Sequence, residues 1–406
     1  MGNQAREVWA IPEFRRIFFS RLVSNLGNGM SPIALAFGVL GLKGGNATSL
    51  SIVEGCHITA VVLFMIVGGA LADKWGRARL VGGTDIIGGC IVAFGAFSFM
   101  FHFASVPLLA VNALIIGGLN SVWYPAFTGL MPQAVPRHLL QQANSMSGVV
   151  ANLGYMVGAA MAGIIIAAAG PGAGLMTDAV SFLIAGGLVF SLRRLDSQRT
   201  DTKSDTMLVQ LRQGWSEFRA RRWLVVVVVC WAMYHVGFDG FLNVVGPLQS
   251  KLALNGAKDM GYMFAAWGIG GMLGRVLGMR VHVHRPLLLG IGIAPTMALW
   301  IYAMAIPTAL WLLLICAVIS GAALDLFSSM WGTTMQMQIP EESLSRVSAY
   351  DGVGSYAFAP VGLFLAGPLA EAVGARTALI VLGTIVLLAT TAPLLWRDVR
   401  NLENKH

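Results

Sequence analysis

Residues 69–79 read Gly-Ala-Leu-Ala-Asp-Lys-Trp-Gly-Arg-Ala-Arg. They form a short basic break between two apolar runs, 49–71 and 80–101. Each run has the ~20 residues a helix needs to cross a hydrocarbon core. Gly69 permits close helix packing and Gly76 suits a tight turn. Lys74, Arg77 and Arg79 belong on the side of a membrane that keeps positive charge. The stretch therefore reads as the turn of a transmembrane hairpin, and the rest of the chain can be read outward from it.

The whole chain fits that solvent. Of its 406 residues, 56% are hydrophobic and 11% are charged, against roughly 25% charged in soluble domains. Apolar spans fall at 17–42, 49–71, 80–101, 107–129, 141–168, 173–192, 223–249, 259–280, 285–306, 309–332, 344–370 and 376–395. With the N-terminus inside, 22 of the 27 basic residues lie in inner segments, Arg21 counted among them, and 4 in outer loops. The net charge of +8 is thus a topology signal, with contact to anionic lipid as a by-product; nucleic acid is not the expected partner. Arg6, Arg15, Arg16 and Arg21 precede an apolar stretch that lacks a small-residue cleavage site, so it reads as the first helix rather than a cleaved leader.

Residues 196–206 are polar and read as a linker. Leu208, Leu211, Trp215 and Phe218 then recur at helical spacing among arginines, which predicts an amphipathic helix on the inner membrane surface. The segment divides the chain into 1–195, a linker at 196–222, and 223–406. The halves are related: 131–175 aligns without gaps to 335–379, at an offset of 204, with twelve of 45 positions identical. The expected fold is an all-α membrane protein of twelve transmembrane helices in two pseudo-symmetric six-helix bundles. Transporters of that plan rock one half against the other around a central site.

The loop 69–79 resembles the G-x-x-x-D-[RK]-x-G-[RK] signature of the major facilitator superfamily, carried here by Gly69, Asp73, Lys74, Gly76 and Arg77. Ala78 stands where a base is usual, and the second-half counterpart, Gly278-Met-Arg280-Val-His282-Val-His284, has no acid. In this signature Asp73 would receive the start of the eleventh helix and nearby cations. A second set of residues is similar to the third drug:proton antiporter family, which holds macrolide, tetracycline-type and siderophore exporters. It comprises Ser24-Asn25-Leu26-Gly27-Asn28, Tyr124-Pro125-Ala126-Phe127, Leu130-Met131-Pro132, Val135-Pro136, Ala143-Asn144, Gly158, Ala162-Gly163, Asp178-Ala-Val-Ser181-Phe182, Gln338-Ile-Pro340 and Arg346. The resemblance implies export of small lipophilic molecules by alternating access, driven by antiport of protons or sodium. A dedicated exporter of a siderophore or other metabolite, and an uptake symporter, share the fold. The chain departs from the family at Asn28, where an acid is common, and at Ala159, where a proline follows the glycine. No Arg or Lys lies between Arg79 and Arg137, and Asn112 is the polar residue nearest the position of the family's fourth-helix arginine.

Charges within spans cost about 2.5–3.5 kcal/mol each on insertion scales, and so mark functional candidates. Asp239, one turn after His235, is the first candidate for proton coupling, followed by Asp325 and Glu54. Asp351 is a candidate gate latch for the signature loop, and Asp85 a structural partner of that loop. Arg275 reads as a cation that snorkels inward. Candidate cavity residues are Asn28, Met30, Asn112, Trp123, Trp231, Phe238, Phe241, Trp267 and Trp331, an aromatic and methionine surface suited to loosely discriminated ligands. Trp9, Trp75, Trp215, Trp223 and Trp396 read as interfacial anchors. Gly154 and Gly158, and Gly270, Gly274 and Gly278, form four-residue ridges for helix packing. Cys56, Cys90, Cys230 and Cys316 lie in apolar runs without disulfide or metal spacing. The chain carries no nucleotide-binding or hydrolase motif, so the expectation is a transporter and not an enzyme, a monomer without cofactor or metal.

Overall fold

The computed structural model describes residues 3–197, 207–281, 283–306 and 309–403, except for the side chains of 3, 66–74, 197, 207–213, 341, 342 and 345. Among the described residues every regular element is helical. In chain order they are α1 (Asn3–Ala10), α2 (Pro12–Leu40), α3 (Ala47–Trp75), α4 (Arg77–Met100), α5 (Val106–Ala134), α6 (Leu140–Ala169), α7 (Pro171–Phe190), α8 (Met207–Ala220), α9 (Arg222–Gly240), α10 (Gly246–Ala253), α11 (Ala257–Arg280), α12 (Pro286–Ile293), α13 (Ala298–Ala305), α14 (Leu310–Gln338), α15 (Glu341–Tyr356), α16 (Ala359–Val373), α17 (Ala375–Thr391) and α18 (Arg397–Arg400).

Helical segments stand at all twelve expected spans. Ten of them have both the length and the apolarity to cross a membrane. The other two are α2, diluted by Ser24, Asn25 and Asn28, and α11, which carries Lys258, Asp259, Arg275 and Arg280. Several helices begin where proline presets the backbone and has no N–H to leave unpaired: Pro12, Pro171 and Pro286 open α2, α7 and α12. The Asn46 side chain caps α3 by accepting the Ser49 N–H at 2.8 Å.

The internal repeat is visible in the helix boundaries. α5 and α14 are both 29 residues long, and their ends are displaced by the same 204 positions as the sequence repeat. Gly170 and Gly374, also 204 apart, both adopt positive φ (81° and 84°) at the turns into α7 and α17, a conformation that favours glycine.

The chain divides into two compact units, Met1–Thr200 with Leu254–Ala265, and Asp201–Ala253 with Ala266–His406. Within the first, the main packed pairs are α3 with α5, α4 with α7, and α2 with α6 and α7. Apolar burial gives no net drive between helices in lipid, so close backbone contact does the packing. A Cβ at Gly158 of α6 would stand 1.9 Å from the Leu26 carbonyl oxygen of α2, and one at Gly154 2.6 Å from that of Leu22. In the second unit, Gly270 and Gly274 of α11 lie as tightly on the Val318 and Ala322 carbonyls of α14. Both predicted ridges are therefore helix contacts.

Trp223 is buried against protein and meets Trp331 edge-on at 5.7 Å. The amphipathic helix α8 packs on protein: Phe218 is buried, Trp215 and Phe218 lie 5.5 and 6.1 Å from Tyr350 of α15, and Gly214 faces the same ring. Tyr350 gives Phe218 a protein surface, while Trp215 remains about half exposed. The side chains of Leu208 and Leu211 lie outside those described.

The glycine contacts set a test. Gly158→Val should lower the melting temperature of the detergent-solubilised protein markedly, since overpacking costs about 1–3 kcal/mol or more where backbone blocks relief. Gly148→Ala, on the same helix with open space around it, should leave the melting temperature unchanged or raise it slightly. Equal losses in both would show that the α2–α6 contact does not limit stability.

Candidate functional site

α9 places the main site of the second unit on one helix face. Trp231, Tyr234, His235, Phe238 and Asp239 recur at spacings of three and four, which align side chains along a helix. His235 Nδ1 lies 3.0 Å from Asp239 Oδ2. Both side chains are largely buried, at 9% and 16% exposure. Tyr356 of α15 covers the imidazole, with ring centroids 4.0 Å apart. Immediately after Asp239 the helix widens into a π-turn at Phe241–Val245, and Asn243 Nδ2 donates to the Asp239 carbonyl at 3.2 Å. Such π-bulges occur often at functional positions.

Aromatic rings run from this pair through the unit. Tyr234 stacks on Trp231 (4.8 Å) and on Phe238 (5.0 Å). Trp231 stacks on Phe327 at 3.8 Å, which continues to Trp331 at 6.1 Å. Phe238 meets Trp267 at 6.3 Å. Trp331 Nε1 donates to Asp351 Oδ2 at 3.0 Å, and Ser355 Oγ to Asp351 Oδ1 at 3.3 Å. Asp351 is thus held within its own unit, by Trp331 and Ser355. Phe238 and Phe241 are fully packed, the latter edge-on to Trp300 at 5.0 Å, so they support the row. Trp231, Trp267 and Trp331 are only partly buried.

Asp325 accepts a hydrogen bond from Arg275 Nε at 2.9 Å. Arg275 therefore does not simply snorkel: it bridges α11 to α14. Glu54 is buried on α3, and His57, on the same helix, meets Asn120 of α5 at 3.3 Å.

In the first unit, Met30 is fully buried and Asn28 partly so. Asn112 Nδ2 donates to the Ile91 carbonyl at 2.7 Å, tying α5 to α4. Trp123 stacks on Phe127 at 4.8 Å. Over both rings lies Arg21, 5.2 and 4.6 Å from their centroids. Arg21 is not a flanking residue: it sits well inside α2, and it brings to α5 the cation that the fourth span lacks. Asp85 stands about 12 Å into α4 at ~1.5 Å per residue, within the field of Arg21 and beside Trp123 and Asn120.

Of the signature residues, Gly69, Asp73 and Lys74 have side chains outside those described. Gly76 makes the turn at φ +92°. Arg77 Nη1 donates to the Gly129 carbonyl at 2.7 Å. Asp196 caps α4: its two carboxylate oxygens accept the N–H groups of Ala78 and Arg79 at 3.0 and 3.1 Å. It is thereby an ordered end of the first unit, although it reads as linker in the sequence. The second unit repeats the device. After α18, Glu403 accepts from Arg285, at the start of α12, with Nε 3.1 Å away, and its carbonyl accepts from Gln338. The hydrogen bond and the charge of Arg285 hold the Glu403 carboxyl below its ordinary range.

The Major Facilitator Superfamily profile matches residues 17–308. The chain belongs to the major facilitator superfamily. Among curated relatives, the multidrug efflux pump Tap of Mycolicibacterium fortuitum is 27% identical over 408 residues, covering 95% of this chain and 96% of that protein. Macrolide efflux protein A of Streptococcus pyogenes is 22% identical, covering 97% and 98%. The staphyloferrin A transporter of Staphylococcus aureus is 28% identical over 170 residues, 41% of this chain and 42% of that one. The crystal structure of the nucleoside transporter NupG superposes with a TM-score of 0.75 at 12% identity, covering 94% of this chain and 98% of that one. A bacterial homologue of the lysosomal transporter Spinster gives 0.68 at 13%, covering 98% of each. The chain is therefore a multi-pass membrane transporter of small molecules.

Two outcomes test the polar contacts. If Arg275 and Asp325 form a structural pair, Arg275→Gln alone should lower the melting temperature more than Arg275→Gln with Asp325→Asn, because the single change strands a carboxylate. A double variant as unstable as the sum of its parts would make the two groups independent. Because the Glu403 carboxyl is depressed in the folded protein, the clamp it forms is complete above the ordinary glutamate range and is lost as pH falls through the depressed value. A spin label at Asn401 should become mobile over that acid range, and be mobile at neutral pH in Glu403→Gln; a label insensitive to both would refute the clamp.

Proposed function

We propose that this protein exports small lipophilic molecules, drugs and antibiotics among them, from the bacterial cytoplasm across the inner membrane by proton-coupled antiport. The observation that carries the reading is the His235–Asp239 pair, largely buried in α9, with Tyr234 and Tyr356 against the imidazole and Trp231 stacked on Tyr234. It joins an ionisable group to an aromatic surface, and near full-length similarity to Tap and to macrolide efflux protein A supports export of bulky apolar compounds. With its proton the pair is an imidazolium against a carboxylate and its charges cancel; when the proton leaves, the imidazole is neutral, the carboxylate charge is uncompensated, and the local field along the aromatic row changes. Ligands that stack on Trp231, Trp267 and Trp331 would sense that change directly.

In this reading the bundles 1–195 and 223–406, joined by 196–222, alternate access as a monomer with both termini cytoplasmic. Asp325, paired with Arg275, and Asp351, held by Trp331, stabilise the second bundle. Glu54 is the remaining coupling candidate, and Asn28 and Trp123 are the polar and aromatic cavity candidates of the first bundle.

The test is accumulation of lipophilic dyes and macrolides in cells lacking their own pumps. Expression should lower accumulation, an uncoupler should restore it, and Asp239→Asn should abolish the effect while leaving the protein in the membrane. Efflux that survives both the uncoupler and the substitution would overturn proton coupling through Asp239. Failure of every compound to move would overturn lipophilic export in favour of a siderophore exporter or an importer.

A further inference from the structure

The first unit contains a second group of charges, to which the reading above gives no part. Arg21 of α2 lies over the Trp123–Phe127 stack, and its Nε is buried without an acceptor. Asp85 of α4 is 4% exposed, and its charge is the main one acting on Arg21. Asp178 of α7 is 1% exposed and adds a second negative charge to the field at Asp85. The other groups facing them are the Trp123 indole toward Asp85, Tyr124 of α5 toward Arg21, and Ser31 and Ser181 toward Asp178.

The charges do not balance. Arg21 faces Asp85, and Asp85 also feels the charge of Asp178, so one guanidinium and two carboxylates share a region where each uncompensated charge costs about 2.5–3.5 kcal/mol. One proton on either acid makes the cluster neutral, and two interacting acids share such a proton as a pair. The two are not equally accessible. Asp178 is pressed on the bare backbone of α2, where a Cβ at Gly27 would lie 2.4 Å from its Oδ1. Asp85 opens on a small pocket whose apolar lining, Gly88, Ile116, Leu119 and Phe182, is joined by Thr84, Asn120 and Trp123, which with Asp85 itself supply the polar partners a water needs. Asn120, on the pocket wall, also meets His57 of α3.

We propose that Arg21, Asp85 and Asp178 form a proton-binding site of the first unit, which exchanges one proton with water through Asp85. When the proton leaves, Arg21 is drawn to Asp85; when it binds, the guanidinium is held chiefly by the two rings. Since Arg21 is on α2 and the rings are on α5, protonation changes how strongly α2 is held to α4 relative to α5. This deepens the antiport reading, and rests on it for its role in transport. The site itself can be tested without any transported compound.

Dicyclohexylcarbodiimide adds to protonated carboxyls in apolar surroundings, and peptide mass mapping locates the adduct. In the purified full-length protein, Asp85 should be modified in mildly acidic buffer and progressively less as the buffer becomes alkaline. Arg21→Gln should raise Asp85 labelling in alkaline buffer several-fold, since the charge that favours the carboxylate is gone. Asp178→Asn should lower it, since a single carboxylate then balances Arg21 without a proton. General loosening of the fold would move both variants the same way. Asp85 unmodified at every pH, labelling that ignores pH, or a shift of both variants in one direction would each overturn the site. Failure of drug efflux with this labelling pattern intact would count against the exported compounds and leave the proton site standing.

Discussion

Hydrocarbon offers no partner to a charge or to an open backbone group, and this constraint decides where the ionisable side chains of this protein sit. Asp325 has Arg275, Asp239 has His235, and Asp351 has the Trp331 indole and Ser355. For Asp325 and Asp351 a partner comes from another element, joining α11 to α14 and α14 to α15. Asp239 alone is satisfied from within its own helix, by a residue one turn away. A pair confined to one helix can gain or lose a proton without a helix–helix contact being broken. The Arg275–Asp325 bridge cannot, and that difference separates a group suited to coupling from one suited to holding the bundle together.

The same constraint explains the glycines. Where apolar side chains gain nothing by leaving lipid, helices associate by bringing backbones close. α6 meets α2 through Gly154 and Gly158, and α11 meets α14 through Gly270 and Gly274, at separations that admit no Cβ. In α2 these contacts come from the helix that also carries Arg21 and Gly27. A helix so closely seated can place a guanidinium over two rings of α5 and leave its own backbone bare against Asp178.

The helices and their repeat are legible in the sequence because hydropathy is a local property and the 204-residue offset survives in identical residues. The partners are not. Arg21 counts as a flanking base in any tally of charges near span ends, since distance along the chain cannot tell snorkelling from burial under Trp123. Arg275 and Asp325 are fifty residues apart and share no motif. Asp196 opens a polar run that reads as linker, and its role as a cap depends on N–H groups 118 residues earlier. α8 reads as amphipathic, but the packing of Tyr350 on Phe218 joins residues 132 positions apart that share no motif. The π-turn after Asp239 leaves no mark on the hydropathy of its span, because one extra residue in a helical turn changes geometry and not composition. His235 and Asp239 are legible because their relation is local.

Asp196 and Glu403 show how the repeat persists without sequence identity. In each unit, the segment after the last long helix turns back and sets a carboxylate against the start of that unit's third spanning helix. In the first, the acceptors are used on backbone N–H groups, which carry the positive end of the helix dipole. In the second they are used on Arg285, one residue before Pro286, whose ring removes an N–H that could otherwise have been capped. The positive charge has moved from the helix end to a side chain, and the carboxylate has followed it. Identical residues were not required, because what each unit needs is a negative group at that place. The signature loop can therefore lose its acid in the second half, as 278–284 does, while the end of the helix it leads into remains tied to its unit.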